Sequence, residues 1–130
     1  MTGLILLLAL LQSATTPQLA KVSPRNLYVG CSLQASGQEL REPKVVNEIV
    51  SNSAVRCMLT EAQMLSNFRG KDSNSKLRFC PDASASFDAN HWTAMSLVYL
   101  EFYEENASTL AKVSGELAML MALGQKWPCK

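Results

Sequence analysis

Residues 55–70 read VRCMLTEAQMLSNFRG, and this stretch decides the fold class. Its apolar side chains recur at helical spacing: Val55, Met58, Leu59, Ala62, Leu65 and Phe68. Apolar residues three and four positions apart form one stripe along an α-helix, and a glycine after the last of them is a stop signal. The stretch therefore predicts an amphipathic helix that ends at Gly70.

Similar spacing continues on the N-terminal side of this stretch. Ser23-Pro24 predicts a helix start, because the serine hydroxyl caps free N–H groups and proline is tolerated at the first helical position. That helix is expected to end at Ser36-Gly37. Apolar residues after Glu42-Pro43 predict a second, short amphipathic helix through Val50.

The C-terminal half adds two more helices. Asp88 or Asn90 is expected to cap a long helix through Tyr103, and Ser108 to cap a last helix that Gly124 stops. The apolar side chains assigned to the last helix are Leu110, Val113, Leu117, Leu120 and Met121. No stretch shows the alternation of apolar and polar residues that is typical of a β-strand. The sequence therefore predicts an all-α protein, a compact bundle of four to five helices.

Four cysteines, Cys31, Cys57, Cys80 and Cys129, are spread along the chain without a closely spaced pair. Zinc ligands usually come in such pairs, so we predict no metal site. An even count in a small exported chain favours two disulfides, with three connectivities open. Pairing Cys31 with Cys57 and Cys80 with Cys129 closes two consecutive loops and stabilises by about 3.5 and about 4 kcal/mol. Four reduced core cysteines in a cytosolic protein are the alternative.

The N-terminus carries an unbroken apolar run from Leu4 to Leu11, followed by small and polar residues. The run is too short to span a bilayer and fits the apolar region of a signal peptide. We predict a signal peptide at residues 1–20 and a single helical domain at residues 21–130. The alternative is a buried N-terminal helix, because no positive charge precedes the run.

Composition and motifs limit the function classes. The chain has 130 residues, 48% of them apolar, and a net charge of +1, which describes a globular domain without the field that draws a protein to nucleic acid or a membrane surface. His91 is the single histidine, and no sequence signature links it to a nucleophile. We therefore expect no enzyme activity and no cofactor, although an acid/base pair among Asp82, Asp88 and the glutamates after residue 100 stays open.

Four short motifs carry a family resemblance: Leu27-Tyr28-Val29-Gly30-Cys31, Cys57-Met58-Leu59, Phe79-Cys80-Pro81 and Trp127-Pro128-Cys129. In this order the chain resembles the Rap/Tai family, the immunity proteins that protect bacteria from amidase toxins delivered by type VI secretion. The chain departs from the family in the long stretch between its first two cysteines. It also carries Leu59 and Thr60 where a glycine and an aromatic residue often stand.

The resemblance implies an exported, disulfide-stapled helical protein, often a homodimer, that binds a peptidoglycan amidase in the periplasm and blocks its active-site cleft. Such inhibition needs a rigid body and a protruding polar segment. We expect that segment between residues 67 and 78, with partner-binding residues Asn67, Arg69, Lys71, Asp72, Lys76 and Arg78. We expect Phe68 to pack in the core as the last apolar residue of its helix and not to contact the partner. A plain solvated connector is the alternative, and the face of Glu101, Glu104 and Glu105 is the next candidate surface.

Two other function classes remain open. A small periplasmic helical chaperone or stress protein binds many clients on acidification, whereas an immunity protein binds one toxin at neutral pH. A secreted hydrolase is the remaining option, and it requires an activity that depends on His91.

Overall fold

The computed structural model of the chain describes residues 21–37, 50–70, 77–81 and 85–129, the last range with its side chains from residue 90 on. These residues form four α-helices and a 3-10 helix: α1 (Pro24–Ala35), α2 (Ala54–Phe68), α3 (Ala85–Asn106), the 3-10 helix (Thr109–Lys112) and α4 (Gly115–Lys126). The predicted all-α bundle with two disulfides is confirmed. The predicted signal peptide and the predicted helix after Glu42-Pro43 lie outside the described residues.

Serine side chains cap the N-termini of three of the helices. Ser23, Ser53 and Ser114 precede α1, α2 and α4, and each hydroxyl accepts a hydrogen bond of 3.1 Å from the backbone N–H three residues further on. Each bond satisfies one of the N–H groups that the first helical turn leaves without a partner, an effect of about 1 kcal/mol. The predicted start of α1 at Ser23-Pro24 is confirmed.

The predicted cap of the last helix was wrong. Ser108 makes no capping bond and precedes the 3-10 helix, while α4 begins only after Ser114. The reason is a tertiary contact, because the Gly115 N–H donates to the Val22 carbonyl oxygen at 2.7 Å. A Cβ at Gly115 would lie 2.8 Å from Val22, so only glycine allows the two segments to approach this closely.

Two further boundaries differ from expectation. Gly124 does not stop α4, which runs to Lys126, and the Trp127 N–H donates to the Leu123 carbonyl oxygen at 2.8 Å. The long helix α3 extends to Asn106 and is kinked at Asn90, whose φ of −140° and ψ of 43° are not helical. Asn90 was one of two residues expected to start this helix, and the kink divides the helix there.

A buried disulfide joins α1 to α2. The Cys31 and Cys57 sulfurs are bonded at 2.06 Å, and neither residue has exposed surface. Gly30, the residue before Cys31, lies so close to Ser53 that a Cβ on it would overlap the Ser53 carbonyl oxygen.

The core forms where α3 and α4 close over this pair. Met95 and Tyr99 of α3 are fully buried, and the Tyr99 hydroxyl donates to the Pro24 carbonyl oxygen at 2.6 Å. Burial raises the pKa of the Tyr99 phenol, so the hydroxyl keeps its proton and the bond. From α4, Ala118, Met119 and Leu123 complete the same cluster, and they are buried as well.

The second disulfide links Cys80, ahead of α3, to Cys129, just after α4. Both cysteines are partly exposed, unlike the first pair. The Cys80 N–H also donates to the Trp127 carbonyl oxygen at 2.8 Å. The chain end is therefore held to the segment before α3 by one covalent bond and one hydrogen bond.

We expect the two disulfides to be reduced in sequence, Cys80–Cys129 first, because a reductant must reach the sulfur atom and only this bridge has exposed surface. The measurement is timed reduction under native conditions, trapping with an alkylating agent and peptide mass spectrometry. Early modification of Cys31 and Cys57, ahead of Cys80 and Cys129, would contradict the difference in burial.

Candidate functional site

The ends of the basic loop, residues 69–78, are held together by backbone hydrogen bonds. The Gly70 N–H donates to the Phe79 carbonyl oxygen at 2.9 Å, and the Phe79 N–H donates to the Phe68 carbonyl oxygen at 3.1 Å. Arg69 and Phe79 thereby form an isolated bridge of β type. Phe79 itself is fully buried, and Cys80 follows in its disulfide. Both ends of the loop are therefore anchored to the rigid body.

The structure places half of the six residues predicted to bind a partner. Asn67 and Arg69 are exposed, and Arg78 is half-buried at the opposite end of the loop. Lys71, Asp72 and Lys76 lie outside the described residues. Phe68 is half-buried against the core, so its assignment to the core is confirmed.

A groove of about 460 Å³ opens beside the second end of the basic loop. We call it the C-terminal groove, and its lining includes Leu77, Arg78, Leu120, Met121, Gly124 and Cys129. Leu77 is 47% and Met121 39% exposed, and they are two of the six large apolar side chains that are exposed among the described residues. The groove combines three apolar side chains, Leu77, Leu120 and Met121, with polar surface and one positively charged side chain, Arg78.

The acidic residues near the end of α3 are divided between two environments. Glu101 and Glu105 are exposed and line a groove of about 250 Å³ between α3 and α4, together with Phe102. Glu104 instead accepts a hydrogen bond of 2.8 Å from the Tyr28 hydroxyl. This bond to the carboxylate raises the pKa of the Tyr28 phenol. The predicted acidic surface is thus made mainly of Glu101 and Glu105.

The buried face of α2 is not its apolar stripe. Val55 is 41% exposed, and Met58, Leu59, Ala62 and Leu65 are only partly buried. The buried residues of α2 are Ala54, Arg56, Cys57, Thr60, Glu61 and Met64. The rotation of α2 follows Cys57, because a residue bridged to α1 must face α1. Polar residues close to Cys57 on this side of α2 are therefore buried as well.

The buried positive charge of Arg56 is compensated by an ion pair with Glu116, which joins α2 to α4. Its Nη2 atom lies 2.6 Å from Glu116 Oε1, and the side chains are 3% and 20% exposed. A buried guanidinium without a counter-ion is costly, so Glu116 is required to keep Arg56 in place. The same carboxylate oxygen accepts a hydrogen bond of 3.4 Å from the Val22 N–H.

Glu61 lies in a buried polar cluster with Gln34 of α1 and Ser96 of α3. The Ser96 hydroxyl oxygen is 2.7 Å from Glu61 Oε2 and within hydrogen-bonding reach of Gln34 Oε1. Burial raises the pKa of the Glu61 carboxyl to about 9, so the group is protonated at neutral pH. The Ser96 hydroxyl has one proton, so it donates to only one of these two oxygens. The second hydrogen bond of the cluster uses the carboxylic acid proton of Glu61.

Sequence reasoning missed this cluster, although a signal for it existed. Gln34 follows Cys31 by three residues, and Glu61 follows Cys57 by four. Residues at these spacings share a helix face, so a buried disulfide indicates that both polar side chains are buried with it. Ser96 carries no such signal, because only the fold brings α3 against this pair.

The cluster is not arranged for metal binding in this state. Single ligand atoms of Cys31, Cys57 and Glu61 lie within 4.8 Å of one another. Metal ligation by cysteine uses the thiolate, and here both sulfurs are consumed in the disulfide. His91, the histidine on which a hydrolase activity would depend, is half-buried just after the kink in α3, and its ring centroid is 4.2 Å from that of Trp92.

Comparison of the chain with family models, with curated proteins and with solved structures gives no match. All four cysteines are paired, which indicates an oxidising environment and hence export. Within the described part of the chain, none of the helices has the length and apolar character needed to cross a membrane.

We predict that Glu61→Gln stabilises the protein increasingly as pH rises. The folded-state pKa of Glu61 is raised, so its contribution to stability is full below the ordinary carboxyl pKa and is lost as pH rises to about 9. An amide stays neutral throughout and avoids this loss. The measurement is the urea midpoint of both proteins from about pH 5 to about pH 9.

Glu101→Gln is the matched control, because it makes the same change at an exposed carboxylate of α3. Its midpoint is expected to follow that of the wild type at every pH. A gap between wild type and Glu61→Gln that stays constant, or narrows with pH, would contradict a buried neutral Glu61.

Proposed function

We propose that this protein is an exported immunity protein, which binds a peptidoglycan amidase toxin in the periplasm and occludes its active-site cleft. The proposal rests on the order of the cysteine motifs in the sequence and on one structural observation. That observation is the basic loop, whose two ends are fixed to a disulfide-linked helical body.

A loop held in this way is suited to inhibition. Ordering a flexible segment on binding costs free energy, which lowers affinity. Here two backbone hydrogen bonds, the buried Phe79 ring and the Cys80–Cys129 bridge fix where the loop leaves and re-enters the body. Part of the ordering cost is thereby met in the free protein.

The charge of the loop suits an acidic cleft. Residues 69–78 carry four basic side chains and one acidic side chain, in a chain whose net charge is only +1. Local positive charge of this kind accelerates association with an acidic partner and fixes its orientation. The loop therefore provides steering, while the rigid body behind it blocks access to the cleft.

The alternative of an acid-activated chaperone gains no support from the buried carboxyl. Such a chaperone opens when pH falls, commonly because a buried group becomes charged. Glu61 is already protonated at neutral pH, so acidification leaves the cluster at the contact of α1, α2 and α3 unchanged. The buried carboxyl of Glu61 therefore supplies no acid switch.

The experiment first establishes whether a gene beside this one encodes a small secreted amidase, and then measures binding to that enzyme. We expect the wild-type protein to bind it and to inhibit its hydrolysis of peptidoglycan. Replacing Arg69, Lys71 and Arg78 together by alanine is expected to weaken binding by about tenfold or more and to flatten its salt dependence, because the steering charges are lost. Calorimetry at low and at physiological salt measures both effects.

A second triple variant controls for net charge. Lys21, Arg25 and Lys112 are exposed cations near the start of α4, whereas the basic loop adjoins its end. Replacing these three by alanine changes the net charge by the same amount and is expected to leave affinity nearly unchanged. Equal effects of the two triple variants, with both proteins folded by thermal melting, would remove the loop from the interface.

A further inference from the structure

We infer that the chain forms a zinc site in the state before its buried disulfide closes, with Cys31, Cys57 and Glu61 as the ligands. Cysteines are made as thiols and are kept reduced where chains are synthesised, so every chain passes through this dithiol state. The site does not depend on the proposed function, because its ligands lie inside the helical body and away from the basic loop.

The three ligands come from two helices that the fold brings into contact. Ligand atoms of Cys31, Cys57 and Glu61, one from each, lie within 4.8 Å of one another. Cys57 and Glu61 are four residues apart on α2 and share a side of that helix, and α1 brings Cys31 to them. The Cα atoms of the two cysteines are 5.1 Å apart, so their thiolates can reach a single ion. Cysteine spacing does not predict this site, because one ligand is a carboxylate.

The Glu61 carboxyl group has an oxygen atom without a hydrogen bond. Glu61 has no exposed surface, and its Oε1 atom has no hydrogen-bond partner among the described residues. Buried polar atoms nearly always have a partner, and one that lacks it calls for an explanation such as a bound ion or water. This oxygen is a second observation, separate from the positions of the sulfur atoms, that indicates a ligand.

Polar groups around the three ligands suit a metal site. The Ser96 hydroxyl oxygen is 2.7 Å from Glu61 Oε2 and 3.5 Å from Cys57 Sγ. Hydrogen bonds of this kind hold metal ligands in position. The Gln34 amide oxygen reaches the same hydroxyl, which places one more oxygen donor beside the three ligands of a four-coordinate site.

The donor set selects zinc. Two thiolates are unsuited to Mg²⁺ and Ca²⁺, which bind through oxygen, and a carboxylate is unsuited to Cu⁺, which favours sulfur ligands. Zn²⁺ binds thiolates and carboxylates in tetrahedral sites, and each ligand gives up its proton to solvent on binding.

Closing the disulfide releases the ion. A small disulfide accepts two electrons from the two zinc-bound thiolates, the bond between Cys31 and Cys57 forms, and two small thiolates and Zn²⁺ leave. The zinc form and the bridged form therefore exclude each other, and zinc holds α1 to α2 only until the covalent bond replaces it.

The first test compares the reduced and the oxidised full chain. A phosphine gives two electrons to each disulfide and is converted to its oxide with oxygen from water. We expect the reduced protein to bind one Co²⁺, a coloured substitute for Zn²⁺, with the visible spectrum of a tetrahedral site and a thiolate charge-transfer band. Zn²⁺ is expected to displace Co²⁺ and to raise the melting temperature of the reduced protein, whereas the oxidised protein responds to neither metal.

The test also decides the case in which reduction unfolds the chain. Zn²⁺ is then expected to restore the helical circular dichroism, because the free energy of metal binding drives folding. A reduced chain that binds no Co²⁺, or that gains neither helix nor stability from Zn²⁺, would overturn the inference.

Matched variants of the reduced protein identify the ligands. Cys31→Ser is expected to abolish the tetrahedral Co²⁺ spectrum, whereas Cys80→Ser leaves it unchanged, because among the described residues only Cys31, Cys57 and Glu61 form a ligand group. Glu61→Gln is expected to weaken Zn²⁺ binding by about tenfold or more, the cost of losing even an outer partner of a metal ligand. Glu101→Gln, at an exposed carboxylate, is expected to leave the affinity unchanged. Equal effects of the two serine variants, or of the two glutamine variants, would overturn the assignment.

Discussion

The rest of the structure depends on the buried cross-link between Cys31 and Cys57. It fixes the rotation of α2 about its axis, because Cys57 must face α1, and Gly30 allows the two segments to approach to contact. In the chain-entropy account, closing a loop with a sequence separation of 26 contributes about 3.5 kcal/mol. That is a large share of the stability of a small domain.

The rotation of α2 has a polar consequence. Arg56 and Glu61 are carried inside with Cys57, and the fold provides a partner for each: Glu116 for the guanidinium, and Ser96 for a carboxyl that stays protonated. Breaking either contact leaves an uncompensated polar group, so α3 and α4 are held in one arrangement over α2. The result is a rigid body that holds Phe79 and Cys80, at the second end of the basic loop, close to the end of α4.

Local signals in the sequence were reliable, and signals that depend on tertiary contacts were not. Ser23-Pro24 starts α1 as expected, since a cap needs only neighbouring residues, and the cysteine pairing was among those left open. The stripe from Val55 to Leu65 misled, because the buried face of α2 is the one that carries the bridged Cys57 together with Ala54 and Met64. Ser108 failed as a cap because Gly115 begins α4 against Val22, a contact that no local pattern reports. The C-terminal groove has no sequence signal either, because it forms only where Leu77 meets α4.

Two covalent bridges, Cys31–Cys57 and Cys80–Cys129, hold the helices in one rigid body. The direct measurement is peptide mapping, without reduction, of protein recovered from the cell envelope under conditions that block thiol exchange. We expect two bridged peptide pairs, one joining Cys31 to Cys57 and the other joining Cys80 to Cys129. Four free thiols, or bridges in any other pairing, would contradict the account.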